Sequence, residues 1–260
     1  MRNPTQQTPS TSGAFKDLFS AHAADYARFR PTYPPSLFAW LAAVAPARGC
    51  AVDVATGNGQ AALGLADHFD RVVALDASAA QVAEAPRRPG VNVQYGVAPA
   101  EATGLDAASA DLLTAAQAFH WFRHDRFFVE AQRVLRPGGV LAVWCYGLSR
   151  ITPEVDQVVQ HLYADVIGAY WEPERLLVES GYRDVAVPFP ALAAPPFETQ
   201  LDWELSTLTG YLRTWSALKA FTRAQGSDPL AVLEPELARA WGDVPSRPAR
   251  WSLSVRAFRV

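Results

Sequence analysis

The sequence predicts an α/β fold in which a mostly parallel sheet is covered by helices on both faces. Between residues 50 and 145, short apolar segments of strand length alternate with amphipathic segments of helix length. This alternation is typical of successive βα units in a parallel sheet. The chain has 260 residues, of which 50% are hydrophobic, so it can bury the core of one large domain with an appended lid.

Two helices are expected ahead of the first strand. Apolar and aromatic residues recur at helical spacing over 15–29. The prolines in 30–35 end that helix, because proline disfavours helix in the residue before it. Ser36 is a suitable N-cap for a second helix that continues to about Val44. The polar segment 1–14 shows no periodicity and is expected to be a flexible tail.

The remaining elements follow in chain order. Strands are expected at 50–55, 71–75, 91–95, 110–115 and 140–145, and helices at 59–68, 77–85 and 124–135, with a turn at 86–90 and a helix stop at 136–139. After residue 146 helices are expected at 153–170, 173–180 and 207–224, before a final strand at 251–260. The predicted organisation is a tail (1–14), cap helices (15–46), a central core (47–146), and a helical lid with the last strands (147–260).

Composition and charge argue against several classes of function. The formal net charge is −3 and Lys16 and Lys219 are the only lysines, so no basic run predicts a nucleic-acid surface. Cys50 and Cys145 lie in apolar segments, which predicts neither a disulfide framework nor a metal site. No apolar run is long enough for a membrane span. A signal peptide is also not evident, so a cytoplasmic location is expected.

The strongest functional signal is the segment 52–59, Val-Asp-Val-Ala-Thr-Gly-Asn-Gly. A strand ends there, a Gly-x-Gly turn follows and a helix begins. Glycine adopts backbone angles closed to other residues and leaves room for a ligand against the backbone. The turn also fits a dinucleotide-binding fingerprint with Ala62 in the third glycine position, or a purely structural strand–helix turn. The turn alone therefore leaves the ligand open.

Two aspartates narrow the choice of ligand. Asp53 lies inside the strand before the glycine turn, where a carboxylate does not help an anion but supports a cationic amino group, directly or through water. Asp76 ends the next strand, about 20 residues after the turn, where a carboxylate accepts hydrogen bonds from both ribose hydroxyls of an adenosine cofactor, NAD included. An N-cap role for Asp76 on the following helix is compatible with this contact.

Seven stretches carry a resemblance to a known family. They are 19–26, 30–34, the glycine turn, 73–78, 100–101, 116–122 and 133–139, and they span roughly residues 15 to 146. Together they resemble the class I methyltransferase superfamily and, through Gln117 to Phe122, its branch of small-molecule methyltransferases related to trans-aconitate methyltransferase. The resemblance implies a Rossmann-like, doubly wound, mostly parallel seven-stranded sheet with helices on both faces and an added helical lid.

The resemblance also implies a cofactor, S-adenosyl-L-methionine, with S-adenosyl-L-homocysteine as its product and no metal. The residues expected to bind it are Tyr26, Arg30, Asp53, Ala55, Thr56, Gly57, Gly59, Asp76, Ala77, Ala100, Glu101 and Gln117. The loop from Ala55 to Gly59 would line the methionine and ribose portion, and Ala77 and Glu101 would border the adenine. Pro99 departs from the small polar residue that relatives often carry there.

Tyr26 and Arg30 precede the sheet. We expect Tyr26 to cover the methionine end of the cofactor. Arg30 would meet its carboxylate, or a carboxylate on the methyl acceptor, because the guanidinium binds carboxylates in a bidentate way. The alternative for Arg30 is a surface arginine at a helix end.

His120 and Trp121 are the candidate catalytic residues. They follow the fourth strand of the expected core, and a histidine with a pKa near neutrality suits a general base. The alternative is that His120 bonds a loop carbonyl and orients Trp121.

The predicted reaction is in-line methyl transfer to a small-molecule acceptor, with a carboxylate among the candidates. Holding the acceptor in line with the S–CH3 bond supplies much of the rate. A carboxylate acceptor needs no base. Two alternatives stay open: an NAD-dependent oxidoreductase, which lacks an evident Tyr-x-x-x-Lys pattern here, and a non-catalytic protein that binds S-adenosylmethionine. The sequence indicates no oligomeric state.

Overall fold

The computed structural model describes residues 29–85 and 91–260. Tyr26, the expected tail 1–14, nearly all of the first expected helix and the expected turn 86–90 lie outside these residues. Among the described residues, no helix is long and apolar enough to span a membrane. In the same ranges, no three His, Cys, Asp or Glu side chains lie together in a way that could hold a metal ion.

The centre of the molecule is one mixed sheet. Its strands are β1 (Cys50–Val54), β2 (Arg71–Asp76), β3 (Val93–Val97), β4 (Ala110–Ala116), β5 (Leu135–Tyr146), β6 (Ala191–Leu192), β7 (Phe197–Trp203) and β8 (Arg247–Arg259). The order across the sheet is β3-β2-β1-β4-β5-β8-β6, with β7 also paired to β8. The first five strands are mutually parallel, and β8 runs antiparallel to β5, β6 and β7.

Helices cover this sheet and extend beyond it. They are α1 (Pro35–Val44), α2 (Gln60–Ala66), α3 (Ala79–Glu84), α4 (His124–Val134), α5 (Pro153–His161), α6 (Arg175–Glu179), α7 (Leu205–Arg213), α8 (Ser216–Gln225) and α9 (Pro229–Trp241). Two 3-10 turns lie at Phe119–Trp121 and Gly168–Tyr170, and a π-helical turn at Leu162–Val166 continues α5. The mostly parallel α/β fold predicted from the sequence is confirmed.

The two faces of the sheet bury different helices, because successive side chains of a strand point to opposite faces. Val52 and Val54 of β1 join the core cluster that contains the apolar face of α4. Ala51, between them, joins the cluster that contains α1 and α2. A third cluster holds the C-terminal helices together around Trp203, Trp215 and Trp251.

The structure differs from the sequence prediction at several elements. The described sheet has eight strands instead of the implied seven, because β6 and β7 pair with successive parts of one edge of β8. The helix expected at 207–224 is two helices, α7 and α8, separated at Thr214 and Trp215. The helix α9 and the strand β7 were not predicted.

Two predicted helix starts are wrong. Helix α1 begins at Pro35, with Pro34 and not Ser36 in the N-cap position, because proline fits the first helical position, where the amide has no intrahelical partner. Helix α3 begins at Ala79 and not at Ala77, because the Ser78 side chain caps it by accepting from the Gln81 amide. The alternative N-cap role of Asp76 is therefore wrong as well.

Candidate functional site

The candidate site lies at the carboxyl ends of the parallel strands. From β1 the chain continues to β2 and β3 on one side, whereas β4 and β5 extend the sheet on the other. Strand order thus reverses between β1 and β4, and in open α/β sheets ligands bind in the crevice at such a point. The segments that follow β1, β2 and β4 contain most of the residues predicted to bind the cofactor.

The loop after β1 has an unusual backbone. Gly57 and Gly59 adopt φ angles of +57° and +86°, and Ala55 has a φ of +51°, which is costly for a residue with a side chain. A methyl group on Gly59 would come within 2.4 Å of Tyr95 Oη. The loop is tied to β2, since the Thr56 amide donates to the Leu75 carbonyl over 3.0 Å. Its backbone is therefore fixed in a shape that only small residues allow.

Asp53 lies behind this loop and is fully buried. Its carboxylate accepts from Thr56 Oγ1 over 2.6 Å and from Thr114 Oγ1 over 2.7 Å. Burial raises the pKa of the carboxyl from 3.8 to about 6, although the two hydroxyls lower it and Asp76 raises it further. Asp53 thus connects β4 to the loop and reaches the crevice through Thr56.

Asp76 holds the same loop from the end of β2. One carboxylate oxygen accepts from the Gly57 amide and the other from the Ser78 amide, each over 2.8 Å. Asp76 therefore links the end of β2 to both the glycine loop and the start of the next helix. Ala77 lies half-buried between these contacts.

The segments after β3 and β4 complete the crevice edge. Ala100 is buried, and the Glu101 carboxylate accepts from the Arg123 amide over 2.9 Å. Gln117 directly follows β4 with a φ of +55°, and its Nε2 donates to the Tyr146 carbonyl over 3.2 Å. Left-handed residues that are not glycine thus follow both β1 and β4, and such strain is concentrated at functional sites.

His120 lies in the 3-10 turn that follows. Its Nδ1 is 3.0 Å from the hydroxyl of Tyr182, and Trp121 packs against its ring with centroids 4.8 Å apart. Burial lowers the pKa of His120 from 6.5 to about 3, with further lowering by Arg175 and His124. The expected near-neutral pKa is therefore wrong, because partial burial and the nearby Arg175 both disfavour the charged imidazolium.

A small cavity of about 50 Å³ opens beside His120. Its lining includes Arg30, Gln117, Trp121, Trp171, Arg175 and Tyr211. The Arg30 guanidinium lies 5.2 Å from the Tyr211 ring centre. The structure therefore brings Arg30, Gln117, His120 and Trp121 to one cavity, and their roles stay a prediction.

A larger cavity of about 710 Å³ continues from the small one. The two share Gly147, Trp171, Glu172 and Arg175. The Arg175 guanidinium is held in place, since Nε donates to Tyr163 Oη over 3.0 Å and the group lies 5.1 Å from the Trp171 ring centre. No carboxylate of the described residues lies within ion-pair distance of Arg175.

Comparison with known proteins identifies the family. The profile of the methyltransferase domain matches residues 52–143. A protein of Dictyostelium discoideum named as a methyltransferase is 34% identical over 235 residues, covering 89% of each chain. A solved structure from Anaeromyxobacter dehalogenans, described as a type II methyltransferase, shares 52% identity with a TM-score of 0.83, covering 89% of this chain and 98% of that one. The chain belongs to the class I S-adenosylmethionine-dependent methyltransferases.

This methyltransferase also matches a Saccharomyces cerevisiae protein named for S-adenosylmethionine-dependent methyl transfer. The two are 26% identical over 259 residues, covering 85% of this chain and 87% of that one. The matched segment 52–143 contains the glycine turn, both aspartates and His120. The closer relationship to trans-aconitate methyltransferase stays a prediction.

Sequence reasoning missed several residues of the methyltransferase site. Thr114 donates to Asp53, and the Ser78 amide donates to Asp76. Arg175 lines the small cavity, and Tyr182 contacts His120 from behind it. A polar residue inside the apolar strand β4 was a usable signal for Thr114. Arg175 and Tyr182 lie far along the chain from His120 without a motif, so only the fold brings them to the site.

Proposed function

We propose that this methyltransferase moves the methyl group of S-adenosylmethionine to a small acidic acceptor, with a carboxylate oxygen as the nucleophile. One observation carries the proposal. The cavity next to Gln117 and His120 is lined by two guanidinium groups, Arg30 and Arg175, by aromatic rings and by one carboxylate, Glu172, which accepts from Ser216 Oγ over 3.0 Å. A guanidinium that lies among such rings binds a carboxylate more strongly than one in open water, because the surroundings screen the charge less.

The crevice at the strand ends fits the cofactor. The lack of a side chain at Gly57 leaves space beside the loop, whereas Gly59 makes room for Tyr95 of β3. The Asp76 carboxylate lies next to this loop, at the strand end where it would accept from a ribose. Gln81 Oε1 is buried without a hydrogen-bond partner among the described residues, and it lies 3.9 Å from where a Gly57 methyl would stand. A buried acceptor of this kind calls for a donor. Ala100 and Glu101 would border the adenine, and Tyr26 the methionine end.

When bound, the cofactor supplies an electrophilic methyl group on a sulfonium. The chain itself has to orient the acceptor and exclude water, which supplies about 7–11 kcal/mol in well-aligned reactions. Arg175, held by Tyr163 and Trp171, would fix the acceptor carboxylate, and residues 147–260 would form the lid around it. A carboxylate needs no deprotonation at neutral pH, which agrees with the low pKa of His120.

The experiment has two parts. First, calorimetric titration with S-adenosylmethionine, S-adenosylhomocysteine and NAD separates the methyltransferase from an oxidoreductase. We expect binding of the first two and none of NAD. Second, turnover is measured on a panel of small acids, amines, phenols and alcohols. Methyl esters from the acids are the expected products. Cofactor binding without turnover of any acceptor would favour a non-catalytic binding protein, and amine or phenol products would refute the carboxylate proposal.

The variant Arg175→Gln tests the acceptor site directly. We expect KM for the acidic acceptor to rise at least tenfold, because a charge-assisted hydrogen bond is lost, while the Kd of S-adenosylmethionine stays the same. The matched control is Arg183→Gln, which removes an exposed arginine a few residues beyond α6. An unchanged KM in Arg175→Gln would contradict recognition of the acid by this residue.

A further inference from the structure

Tyr182 adopts a backbone conformation that costs energy. It follows Gly181, and the two residues have φ angles of +63° and +60°. A bulky residue in the left-handed region is strained, and such residues persist only where their surroundings fix them. The Tyr182 side chain is completely buried. The turn after α6 therefore places this ring in the interior at the expense of a strained backbone.

Contacts on three sides fix the ring and its backbone. The Tyr182 amide donates to the Leu177 carbonyl over 2.7 Å. The Arg256 guanidinium of β8 donates to the carbonyls of Tyr182 and Val185. The ring of Phe119 meets the Tyr182 ring edge-on, with centroids 5.2 Å apart. Phe119 immediately precedes His120, so the same packing sets the distance between Tyr182 and His120.

The hydroxyl of Tyr182 interacts with the His120 ring, the His120 backbone amide and the Cys145 thiol. His120 Nδ1 lies 3.0 Å from the oxygen. The thiol of Cys145 also interacts with it, and that thiol donates its own hydrogen to the Val178 carbonyl over 3.7 Å. A neutral imidazole nitrogen is a stronger acceptor than a thiol sulfur. The stronger bond forms when Tyr182 donates its hydrogen to Nδ1.

We infer that Tyr182 is a positioning residue that fixes His120 as the neutral tautomer with its hydrogen on Nε2. His120 then offers a hydrogen-bond donor, and not a base, to the cavity that it lines. This inference rests on the proposed function, because a neutral N–H donor suits the oxygen of a carboxylate acceptor. Without the Tyr182 hydroxyl, either nitrogen of the ring could carry the hydrogen.

The charges around His120 agree with this assignment. Burial, together with Arg175 on α6 and His124 on α4, lowers the pKa of His120 to about 3. Arg30 and Glu172 are the other charged residues that line the same small cavity. His124 is itself bonded to the Phe119 carbonyl through Nε2, over 2.9 Å. The ring of His120 therefore stays neutral at physiological pH. Only the choice of tautomer then decides what the ring offers to a ligand.

The test is nitrogen NMR on protein labelled with ¹⁵N-histidine. The variant His120→Gln assigns the signals of His120 by their disappearance. We expect the wild-type protein to show hydrogen on Nε2 and none on Nδ1, without change between about pH 5 and about pH 8, the range in which an ordinary histidine titrates. Hydrogen on Nδ1, or titration in this range, would overturn the inference. This measurement needs neither acceptor nor cofactor.

The variant Tyr182→Phe should remove the preference of His120 for the tautomer with hydrogen on Nε2. We expect both tautomers of His120 in its spectrum and a kcat for the acidic acceptor about tenfold lower, with an unchanged Kd for S-adenosylmethionine. The control Tyr170→Phe removes a hydroxyl that accepts from Gln225 Nε2, on a residue that lines neither cavity, and should leave both quantities as in the wild type. An unchanged His120 spectrum in Tyr182→Phe would refute the positioning role.

A double-variant cycle separates positioning from a general loss of structure. The amide of His120→Gln donates without any tautomer, so adding Tyr182→Phe to it should cost no further activity. Equal losses from Tyr182→Phe in both backgrounds would indicate a merely structural tyrosine. If no acceptor in the panel is methylated, the proposed acceptor class fails, while the spectra still decide the tautomer of His120.

Discussion

The Asp53 side chain is completely buried. Burial raises its pKa from 3.8 to about 6, in spite of two hydroxyl donors that lower it. A carboxyl with a raised pKa binds its proton more tightly in the folded chain than in the unfolded one. Its contribution to stability is therefore complete below about pH 3.8 and is lost as the pH rises through about 6.

The variant Asp53→Asn should remove this pH dependence. The amide is neutral at every pH, and the hydroxyls of Thr56 and Thr114 can rotate to serve it. We expect the free energy of unfolding of the wild type to fall, relative to the variant, by roughly 1 to 3 kcal/mol as the pH rises from about 4 to about 6. Urea unfolding at several pH values measures the difference.

The control for this measurement is Asp67→Asn, which changes an exposed carboxyl at the end of α2. Its unfolding curve should follow that of the wild type across the same range. Parallel curves for the wild type and Asp53→Asn would contradict the raised pKa of Asp53.

At the scale of elements, the loop between β1 and α2 depends on two different constraints. Gly59 has a left-handed φ of +86°, and a methyl group there would collide with Tyr95 on β3. Gly104 is also left-handed, with a φ of +73°, but a methyl group there would meet nothing within 4 Å. A side chain at Gly104 would thus cost only the free energy of a left-handed backbone, whereas one at Gly59 would add a steric clash.

Alanine at each position should measure these costs. Gly104→Ala is expected to lower the free energy of unfolding by about 1 kcal/mol through the left-handed backbone alone. Gly59→Ala should lower it by about 1 to 3 kcal/mol more, because Tyr95 has to move, and should also weaken S-adenosylmethionine binding. Denaturant unfolding and calorimetry measure both effects. Equal losses in the two variants would argue against close packing of β3 on the loop.

The sequence predicted those elements whose signal is local. Strands β1, β2 and β4 are short apolar runs with a boundary near each predicted end. The strand β7 also has a strand pattern, because Phe197, Leu201 and Trp203 alternate with charged and polar residues. It follows the proline-rich segment 188–196, however, and such a segment is typical of a connection between elements. Helix α9 contains Pro235 in its interior, and proline normally ends a helical pattern.

The sequence predicted the glycine loop and its two aspartates better than it predicted the residues around the cavity beside His120. The glycine turn, Asp53 and Asp76 lie within one short, ordered part of the chain, so spacing alone relates them. Tyr182 is 62 residues away from its partner His120. No periodic pattern relates residues across such a distance, and the left-handed angle of Tyr182 comes from packing that the local sequence does not specify.

At the scale of the molecule, ligand binding should add to the stability of the whole chain. A ligand present at about 100 times its Kd adds about 2.7 kcal/mol to the free energy of unfolding. For a chain of this size, that corresponds to a rise in Tm of about 5 to 10 °C. We expect this rise with S-adenosylhomocysteine, followed by thermal unfolding, and none with NAD. An equal rise with NAD would contradict the assignment of the crevice.

The strand β8 pairs both with the parallel part of the sheet, through β5, and with β7. Its second half pairs with β5 of the parallel sheet from Leu253 to Arg259, and its first half pairs with β7 from Arg247 to Leu253. Because one continuous strand pairs with both, β7 cannot separate from the parallel sheet without breaking a main-chain ladder. We therefore expect the pairing of β7 with β8 to stay intact while ligands enter and leave the cavity.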